Sequence, residues 1–212
     1  MRCHRLGIAG LALALLTSCG PQAFVLVDPG YRTERGRSYV VVVGSSRSEE
    51  MALPTRQVSH LLASELATHW FNVLDQEILD RAHPGLAARL SQAARQLQTG
   101  GRVEAALAER LCREYGIGQL LVVEVVRHEQ YWGRLNKVTR VGVEARLMQV
   151  LDGRTLWQGR YDPELSGDPG HGFDEATRRT VRELVRLLSN GSREFRDTPM
   201  ADWPILESFT SN

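Results

Sequence analysis

The sequence predicts an α/β fold in which helices pack on a mixed sheet that contains a three-strand antiparallel meander. A continuous β-branched run, "YVVVVG" at Tyr39 to Gly44, is typical of a strand that is buried on both faces. Apolar residues then recur at helical spacing, and beyond residue 116 the pattern changes to strands joined by a tight turn. This order of elements favours one mixed sheet covered by helices.

The helices of the first half are predicted from the spacing of their apolar residues. Pro54 suits the first turn of a helix. One apolar face follows it, made of Val58, Leu61, Leu62, Leu66 and Trp70. We expect a short strand at 71–74, a helix that Pro84 interrupts, and two further helices at 86–97 and 103–111.

The second half is predicted to form the meander and a closing helix. Leu120 to Val126 is nearly all apolar and continues into the polar "RHEQYW", so we expect a central strand that leaves the body of the domain. Alternation from 141 to 147 indicates a strand with one wet face, and Asp152-Gly153 indicates a tight turn before the return strand. We expect Asp174 to cap a last helix that ends at Asn190-Gly191.

The amino terminus has the pattern of an export signal, because Arg2 and Arg5 precede an apolar run too short to span a bilayer. The next residues resemble a bacterial lipobox, which lipoprotein signal peptidase recognises: Leu16, Thr17, Ser18 and Cys19. The resemblance implies cleavage before Cys19, acylation of that cysteine and a stable lipid anchor in a membrane. A plain secretory signal is the alternative.

Processing at Cys19 divides the chain into four segments. They are a lipoprotein signal peptide at 1–18, a lipidated tether at 19–38, a periplasmic α/β domain at 39–191 and an irregular tail at 192–212. The tether is expected because Pro29, two glycines and three arginines occur between residues 22 and 38 without a period. Gly20 follows the cysteine where inner-membrane lipoproteins typically have aspartate, which resembles sorting to the outer membrane, facing the periplasm.

Composition and cysteine content exclude several function classes. Removal of Arg2 and Arg5 with the signal leaves 24 of the 26 basic residues beside 25 acidic ones, a balance that does not imply nucleic acid as a partner. Since Cys3 leaves with the signal and Cys19 carries lipid, Cys112 remains alone and no intrachain disulfide is expected. Cys112 lies on the apolar stripe of its helix and is interpreted as a small buried hydrophobe.

Five segments together resemble a group of envelope lipoproteins whose periplasmic domain is similar to the amino-terminal domain of TolB. They are the lipobox, "YVVVVG", "HLLASELATHWFNVLDQE", "YGIGQLLVVEVV" and "MQVLDGRTLWQG". The group includes the curli-secretion lipoprotein, lipoprotein activators of penicillin-binding proteins, the Pel polysaccharide lipoprotein and neisserial and myxobacterial lipoproteins. The resemblance spans about Tyr39 to Leu188 and implies the TolB amino-terminal-like fold with a binding or assembly role, because the group shares no catalytic residue.

The hairpin at about 127–140 contains the candidate partner-binding residues. Tyr131, Trp132 and Arg134 lie where the strand changes from apolar to charged, and aromatic anchors with charged neighbours are typical of binding hot spots. Cross-strand packing within the hairpin is the alternative. The hairpin is too short and too charged to supply a membrane-spanning strand, so we do not expect this chain to form a pore.

The sequence has no recognisable catalytic or metal-binding motif. The histidines form no HExxH motif and no helical pair four residues apart, and Glu65 with His69 is interpreted as a surface pair. Two loops remain as alternatives for a periplasmic enzyme or a ligand or metal site: 44–50 and 167–172, the second with Asp168 and His171. Trp157, in the return strand, is expected in the core.

These observations predict a non-enzymatic periplasmic lipoprotein of the outer membrane that binds another envelope protein within an assembly, secretion or surface-structure complex. No cofactor or metal is expected. The expected partners are other cell-envelope proteins, with a homo-oligomer as an open alternative, and the membrane is contacted through the lipid. A ligand-binding protein or enzyme, and an activator of a peptidoglycan synthase, are the alternative functions.

Overall fold

The computed structural model contains one mixed sheet with helices on it. The residues it describes are 22–29, 31, 38–69, 72–133, 136–167 and 172–190. Within these ranges seven strands and five helices are formed, which confirms the predicted α/β class. The predicted lipobox, Trp70, Arg134, Asp168 and His171 lie outside the described residues.

The sheet has the strand order β1-β6-β5-β4-β2-β3, and β7 pairs with β5. The strands are β1 (Gln22–Val27), β2 (Tyr39–Gly44), β3 (Val73–Asp75), β4 (Ile117–Trp132), β5 (Lys137–Gln149), β6 (Thr155–Asp162) and β7 (Glu164–Gly167). The helices are α1 (Ala52–Ala67), α2 (Gln76–Ala82), α3 (Leu86–Gln98), α4 (Ala105–Tyr115) and α5 (Phe173–Asn190).

The sheet combines a parallel and an antiparallel half. β2 lies between β3 and β4 and is parallel to both, and its four consecutive valines are buried, as predicted for a strand covered on two faces. β4, β5 and β6 form the predicted antiparallel meander. Gly153 has φ 74° in the turn between β5 and β6, a conformation that glycine adopts without a Cβ penalty.

Residues Gln22–Val27 form an edge strand, so the prediction of an irregular tether is wrong for these six residues. β1 pairs antiparallel with β6 over its whole length, from Gln22 opposite Asp162 to Val27 opposite Trp157. The apolar "FVLV" supplies the side chains that a half-buried strand requires, and Val25 is buried. Pro29 comes only after the strand has ended.

Helices cover the two faces of the sheet unequally. α1 and α5 pack together on one face, over β2, β4, β5 and β6. α3 and α4 pack on the other face, where they contact β2 and β4. Trp157 is 0% exposed under the first layer, which confirms its predicted place in the core.

The closing helix begins one residue before the predicted cap. α5 starts at Phe173, so Asp174 lies in its first turn and is not the capping residue. A carboxylate in the first turn still interacts favourably with the amino-terminal end of the helix dipole. None of the helices in the described ranges is long and apolar enough to cross a membrane.

Candidate interaction surface

The β4–β5 hairpin extends beyond the rest of the sheet as an arm, which we define as residues 127–133 and 136–142. Within the arm β4 and β5 stay in register from Arg127 opposite Gly142 to Trp132 opposite Lys137. At the tip the Gly133 amide donates to the Asn136 carbonyl at 2.8 Å. β7 pairs with the other edge of β5 along the arm. The arm is therefore a three-stranded extension whose backbone groups are hydrogen-bonded on both sides of β5.

Two of the predicted partner-binding residues lie at the tip of this arm. Trp132 is 75% exposed and Tyr131 is 38% exposed. Tyr131 contacts the Arg140 guanidinium, whose central carbon lies 5.5 Å from the ring centroid. Cross-strand packing therefore holds part of Tyr131 but does not cover Trp132. An exposed indole on a hydrogen-bonded hairpin is therefore a candidate anchor residue for a partner.

A buried carboxylate joins the base of the arm to the sheet. The Asp162 side chain is 2% exposed and pairs with Arg127 at 3.2 Å and with Arg160 at 3.3 Å. A Cβ added to Gly142 would lie 2.9 Å from the Asp162 carboxyl, so glycine is required there for the close approach of that group. Sequence reasoning missed this cluster because its members are brought together only by the strand register.

Along the arm, charged side chains are tied to one another. Arg140 forms ion pairs with Glu164 and Glu129, and the hydrogen bond with Glu164 raises the pKa of Arg140. Arg127 also lies 3.6 Å from Glu129. Carboxylates therefore compensate Arg127 and Arg140, and Lys137 lies opposite the exposed Trp132 at the tip.

A second surface, which we call the open face, lies on the side of β5 and β6 that points away from α1 and α5. Five residues form it, which the pairing of β4, β5 and β6 places side by side: Glu124, Glu144, Arg146, Gln158 and Arg160. Within the described ranges, the helices on this side contact β2 and β4 and leave these positions without a helical layer. Two residues of β1, Phe24 and Leu26, continue the same face at the sheet edge.

The polar groups of the open face form a hydrogen-bonded network. Glu144 Oε1 accepts from Arg146 at 2.8 and 2.5 Å and from Gln158 at 3.2 Å. Glu124 pairs with Arg47 at 3.0 Å. Burial raises the pKa of Glu124 and the neighbouring Glu144 raises it further, against the opposing effect of Arg47. Glu124, Glu144 and Arg160 line a cleft of about 450 Å³.

The predicted 44–50 loop contributes to a larger cleft at the carboxyl ends of β2 and β3. Gly44 and Ser46 line this cleft, which has a volume of about 650 Å³. Inside it His60 Nδ1 lies 2.8 Å from Asp75 Oδ2. The other oxygen of Asp75 accepts from the Glu77 amide at 2.7 Å and caps α2. Sequence reasoning missed the His60–Asp75 pair, because it depends on how α1 crosses β3.

The remaining candidate residues from the sequence do not come together in a site among the described residues. Glu65 and His69 lie at the surface near the end of α1, and no ion pair between them is found in the described part of the chain. The Cys112 thiol is half-buried, donates to the Ile117 carbonyl at 3.4 Å and has a pKa raised by burial. Among the residues that the structure describes, no three His, Cys, Asp or Glu side chains form a metal site. The 167–172 loop lies mostly outside these residues.

The mixed sheet, the antiparallel meander and the two helical layers form an α/β domain whose fold is similar to that of a solved PelC structure. No family model and no curated protein matches the sequence. A variant of PelC from Paraburkholderia phytofirmans, described as a dodecamer, is 14% identical and has a TM-score of 0.51; the match covers 80% of this chain and 98% of that chain.

Two further solved structures are similar at lower scores. Lipoprotein GNA1162 from Neisseria meningitidis is 18% identical, with a TM-score of 0.43 and coverage of 72% of this chain and 99% of that chain. The hypothetical protein CT253 from Chlamydia trachomatis is 14% identical, with a TM-score of 0.49 and coverage of 73% and 97%. The likeness to PelC confirms, at the level of the fold, the predicted resemblance to the Pel lipoprotein and its group.

Proposed function

We propose that this chain is a lipid-anchored periplasmic lipoprotein of the outer membrane that acts by binding and not by catalysis. The open face carries the proposal. Its charged groups lie on hydrogen-bonded strands and are paired with one another, as Glu144 is with Arg146. Such groups are held in one geometry before a partner arrives, which lowers the cost of ordering them on association.

The partner in this proposal is another cell-envelope protein or a second copy of the chain. The open face carries charges of both signs: Glu124 lies opposite Glu144, and Glu144 lies opposite Arg160. Such a mixed pattern is complementary to a surface with mixed charges, and it gives no advantage to a polyanion. The dodecameric state of the PelC structure supports including a homo-oligomer in the proposal.

The anchor in this proposal is the acylated Cys19, which follows the recognition residues Leu16, Thr17 and Ser18. In the Cys19→Ala variant we expect the protein to leave the membrane fraction and to appear in the soluble periplasmic fraction. A density gradient that separates inner and outer membranes tests the sorting implied by Gly20. Membrane association that survives the substitution would contradict the anchor.

Site-specific crosslinking in cells tests the open face. A photoreactive residue at Leu26, on the β1 edge of the open face, should capture one envelope protein or a second copy of the chain. The same residue at Arg182, exposed on α5, should not. The matched swap Glu144→Arg with Arg146→Glu keeps an internal ion pair but reverses the charge pattern. We expect it to abolish capture without loss of stability. Equal capture from both positions would remove the open face from the interface.

The identity of the captured protein also decides a narrower form of the proposal. A penicillin-binding protein among the products would assign the chain to the activators of peptidoglycan synthases. A component of a secretion or surface-structure complex would assign it to that assembly. Capture of a second copy alone would indicate a homo-oligomer.

Binding of a small ligand is a second candidate function, supported by the cleft of about 650 Å³ at the ends of β2 and β3. Asp75 orients the imidazole of His60, which is 55% exposed and available to a ligand in the cleft. Native mass spectrometry and elemental analysis of the purified protein test this candidate. A ligand or metal lost in the His60→Gln variant would support it, and an unoccupied protein in both forms would not.

A further inference from the structure

The cleft at the carboxyl ends of β2 and β3 is lined by charges of opposite sign on two different helices. α1 contributes Arg56 and His60, and α2 contributes Glu77, Asp80 and Arg81. Within the described part of the chain, no ion pair joins Arg56 to a carboxylate of α2. The cleft volume of about 650 Å³ lies within the range of small-molecule sites. Opposite charges therefore line a cleft of suitable size without pairing across it.

The α2 side of the cleft offers carboxylate oxygens to a ligand. Asp80 Oδ1 accepts from the amides of Gly85 and Ala87 at 3.1 and 3.0 Å, which holds this carboxylate in place. Asp80 Oδ2 and the Glu77 carboxylate form no hydrogen bond with the other residues that the structure describes. Hydrogen bonds to an ionised acceptor are stronger than those between neutral groups, and an ammonium has three donors. This side of the cleft therefore suits an ammonium group.

The α1 side of the cleft is electropositive. The Arg56 guanidinium can bind a carboxylate through two parallel hydrogen bonds. Ala52 and Thr55, in the first turn of α1, line the cleft beside it. That turn contains no acidic residue, so the partial positive charge at the start of the helix is not compensated there. Glu49 and Glu50 precede the helix but do not line the cleft. This side therefore suits a carboxylate.

The spacing of Arg56 and His60 limits the separation of the two ligand charges. The two residues are four apart on α1, so their Cβ atoms are about 5–6 Å apart on one face of the helix. Asp75 accepts from Nδ1 of His60 at 2.8 Å, which leaves Nε2 of the neutral imidazole as an acceptor. A carboxylate donor and an ammonium acceptor thus lie one helical turn apart. An α-amino acid, whose two charged groups are attached to one carbon, matches this spacing.

The lining of the cleft disfavours a simple anion and a metal ion. Two arginines and three carboxylates line it, which gives a formal charge of −1 with His60 neutral. A phosphate dianion would be repelled by this balance, whereas a zwitterion meets both signs of charge. Among the residues that the structure describes, no three metal-ligating side chains are brought together. The balance of charge therefore favours a ligand with one ammonium and one carboxylate.

We propose that this cleft binds a free α-amino acid. The carboxylate of the ligand pairs with Arg56, and its ammonium is held by Glu77, Asp80 and Nε2 of His60. The proposal rests on the small-ligand candidate of the proposed function, to which it adds the chemical class of the ligand. A ligand in this position contacts both α1 and α2, so binding should also raise the stability of the fold.

Isothermal titration calorimetry of the full chain in detergent tests the proposal. The probes are single α-amino acids in their L and D forms, each added to about 10 mM, and we expect at least one to bind with a Kd below about 1 mM. The methyl ester of that amino acid lacks the carboxylate charge, and the N-acetyl form lacks the ammonium. Each analogue should bind at least about tenfold more weakly to the parent protein, because a charged group of the cleft is left without its partner.

Two variants assign the two charges of the ligand to their partners. Arg56→Gln should weaken binding of the amino acid at least about tenfold and leave the affinity for its methyl ester unchanged. Glu77→Gln should have the corresponding effect, weakening the amino acid but not its N-acetyl form. A merely structural effect would weaken the amino acid and the analogue equally, and would overturn the assignment. Arg182→Gln, on α5 and outside the cleft, is the matched control and should bind as the parent does.

The outcomes separate the ligand class from the small-ligand function itself. Binding of acetate or inorganic phosphate as tight as that of any amino acid overturns the zwitterion, and so does amino-acid binding that is unchanged in both cleft variants. A copurified ligand of another class, detected by native mass spectrometry and lost in His60→Gln, overturns the proposal but upholds the small-ligand function. If native mass spectrometry and calorimetry find no ligand of any class, both are overturned.

Discussion

Substitution of Gly159 by alanine is expected to destabilise the domain, because the indole of Trp157 lies over this glycine. A Cβ at position 159 would lie 2.2 Å from Cη2 and 2.5 Å from Cζ2 of the Trp157 ring. The ring is 0% exposed beneath the α1 and α5 layer, so it cannot move into solvent. The added methyl group must displace the ring or separate the strand from its neighbours.

Two opposing contributions set the magnitude. Removing a glycine from a strand is normally favourable by about 0.5–1 kcal/mol, because the unfolded chain loses freedom. Overpacking a filled core costs about 1–3 kcal/mol, and complete loss of a buried tryptophan costs about 3–5 kcal/mol. Since the approach is far inside van der Waals contact and the group is a rigid ring, we expect a net loss of about 2–4 kcal/mol.

Urea unfolding followed by circular dichroism measures this loss. The matched control is Gly172→Ala, where an added Cβ meets no atom within 4 Å. Because Gly172 precedes α5 and alanine caps a helix less well than glycine, a loss of up to about 1 kcal/mol is expected there. In a Trp157→Leu background the cost of Gly159→Ala should largely disappear, because the two positions are directly coupled. A Gly159→Ala protein as stable as the parent, or an undiminished cost without the indole, would refute the reasoning.

Burial, in a stack on Phe173, lowers the pKa of His128. The stabilising contribution of neutral His128 is therefore complete above the pKa of the unfolded chain, about 6.5, and is lost as the pH falls below it, because protonation then favours the unfolded state. The unfolding free energy of His128→Phe, measured by urea titration at several pH values, should fall less steeply on acidification than that of the parent, and identical slopes would contradict this. Asp75→Ala should lower the free energy of unfolding by about 1 kcal/mol, because α2 loses its cap. His60→Ala should lower it by less than about 0.5 kcal/mol, because His60 is exposed. Equal losses in the two variants would mean that the His60–Asp75 pair, and not the cap, is stabilising. Cys112, whose pKa burial raises, should react with a thiol reagent slowly in the native protein and rapidly in urea, and equal rates would place the thiol outside the core.

Local sequence patterns were sufficient for most of the sheet and helices. The valines of β2, the helical spacing of Leu90, Ala94 and Leu97, and Gly153 in its turn each determine an element through residues that are close in sequence. β1 was missed because a six-residue apolar segment beside a glycine and a proline has no decisive local pattern. It becomes a strand through pairing with β6, and edge strands depend on such tertiary context.

The same distinction applies to the candidate surfaces. The exposed position of Tyr131 and Trp132 could be predicted from sequence, because the change from apolar to charged residues marks the point where β4 leaves the core. The Asp162 cluster and the His60–Asp75 pair were not found, because each joins residues from different strands and helices. Gln22 lies at the same height along the sheet as Gly142 because β1 pairs with β6 and β6 pairs with β5. No local pattern encodes these two strand registers.

The position of the anchor restricts the assemblies that the chain can form. If each copy is acylated at Cys19, the start of β1 in every copy must face the same membrane. Cyclic symmetry about the membrane normal satisfies this condition, whereas dihedral symmetry directs half of the anchors away from the membrane. In a ring of three or more copies each contact is heterologous, so the open face of one copy would meet a different surface of the next. Crosslinks between two open faces would therefore be incompatible with such a ring, and would indicate a dimer about a two-fold axis.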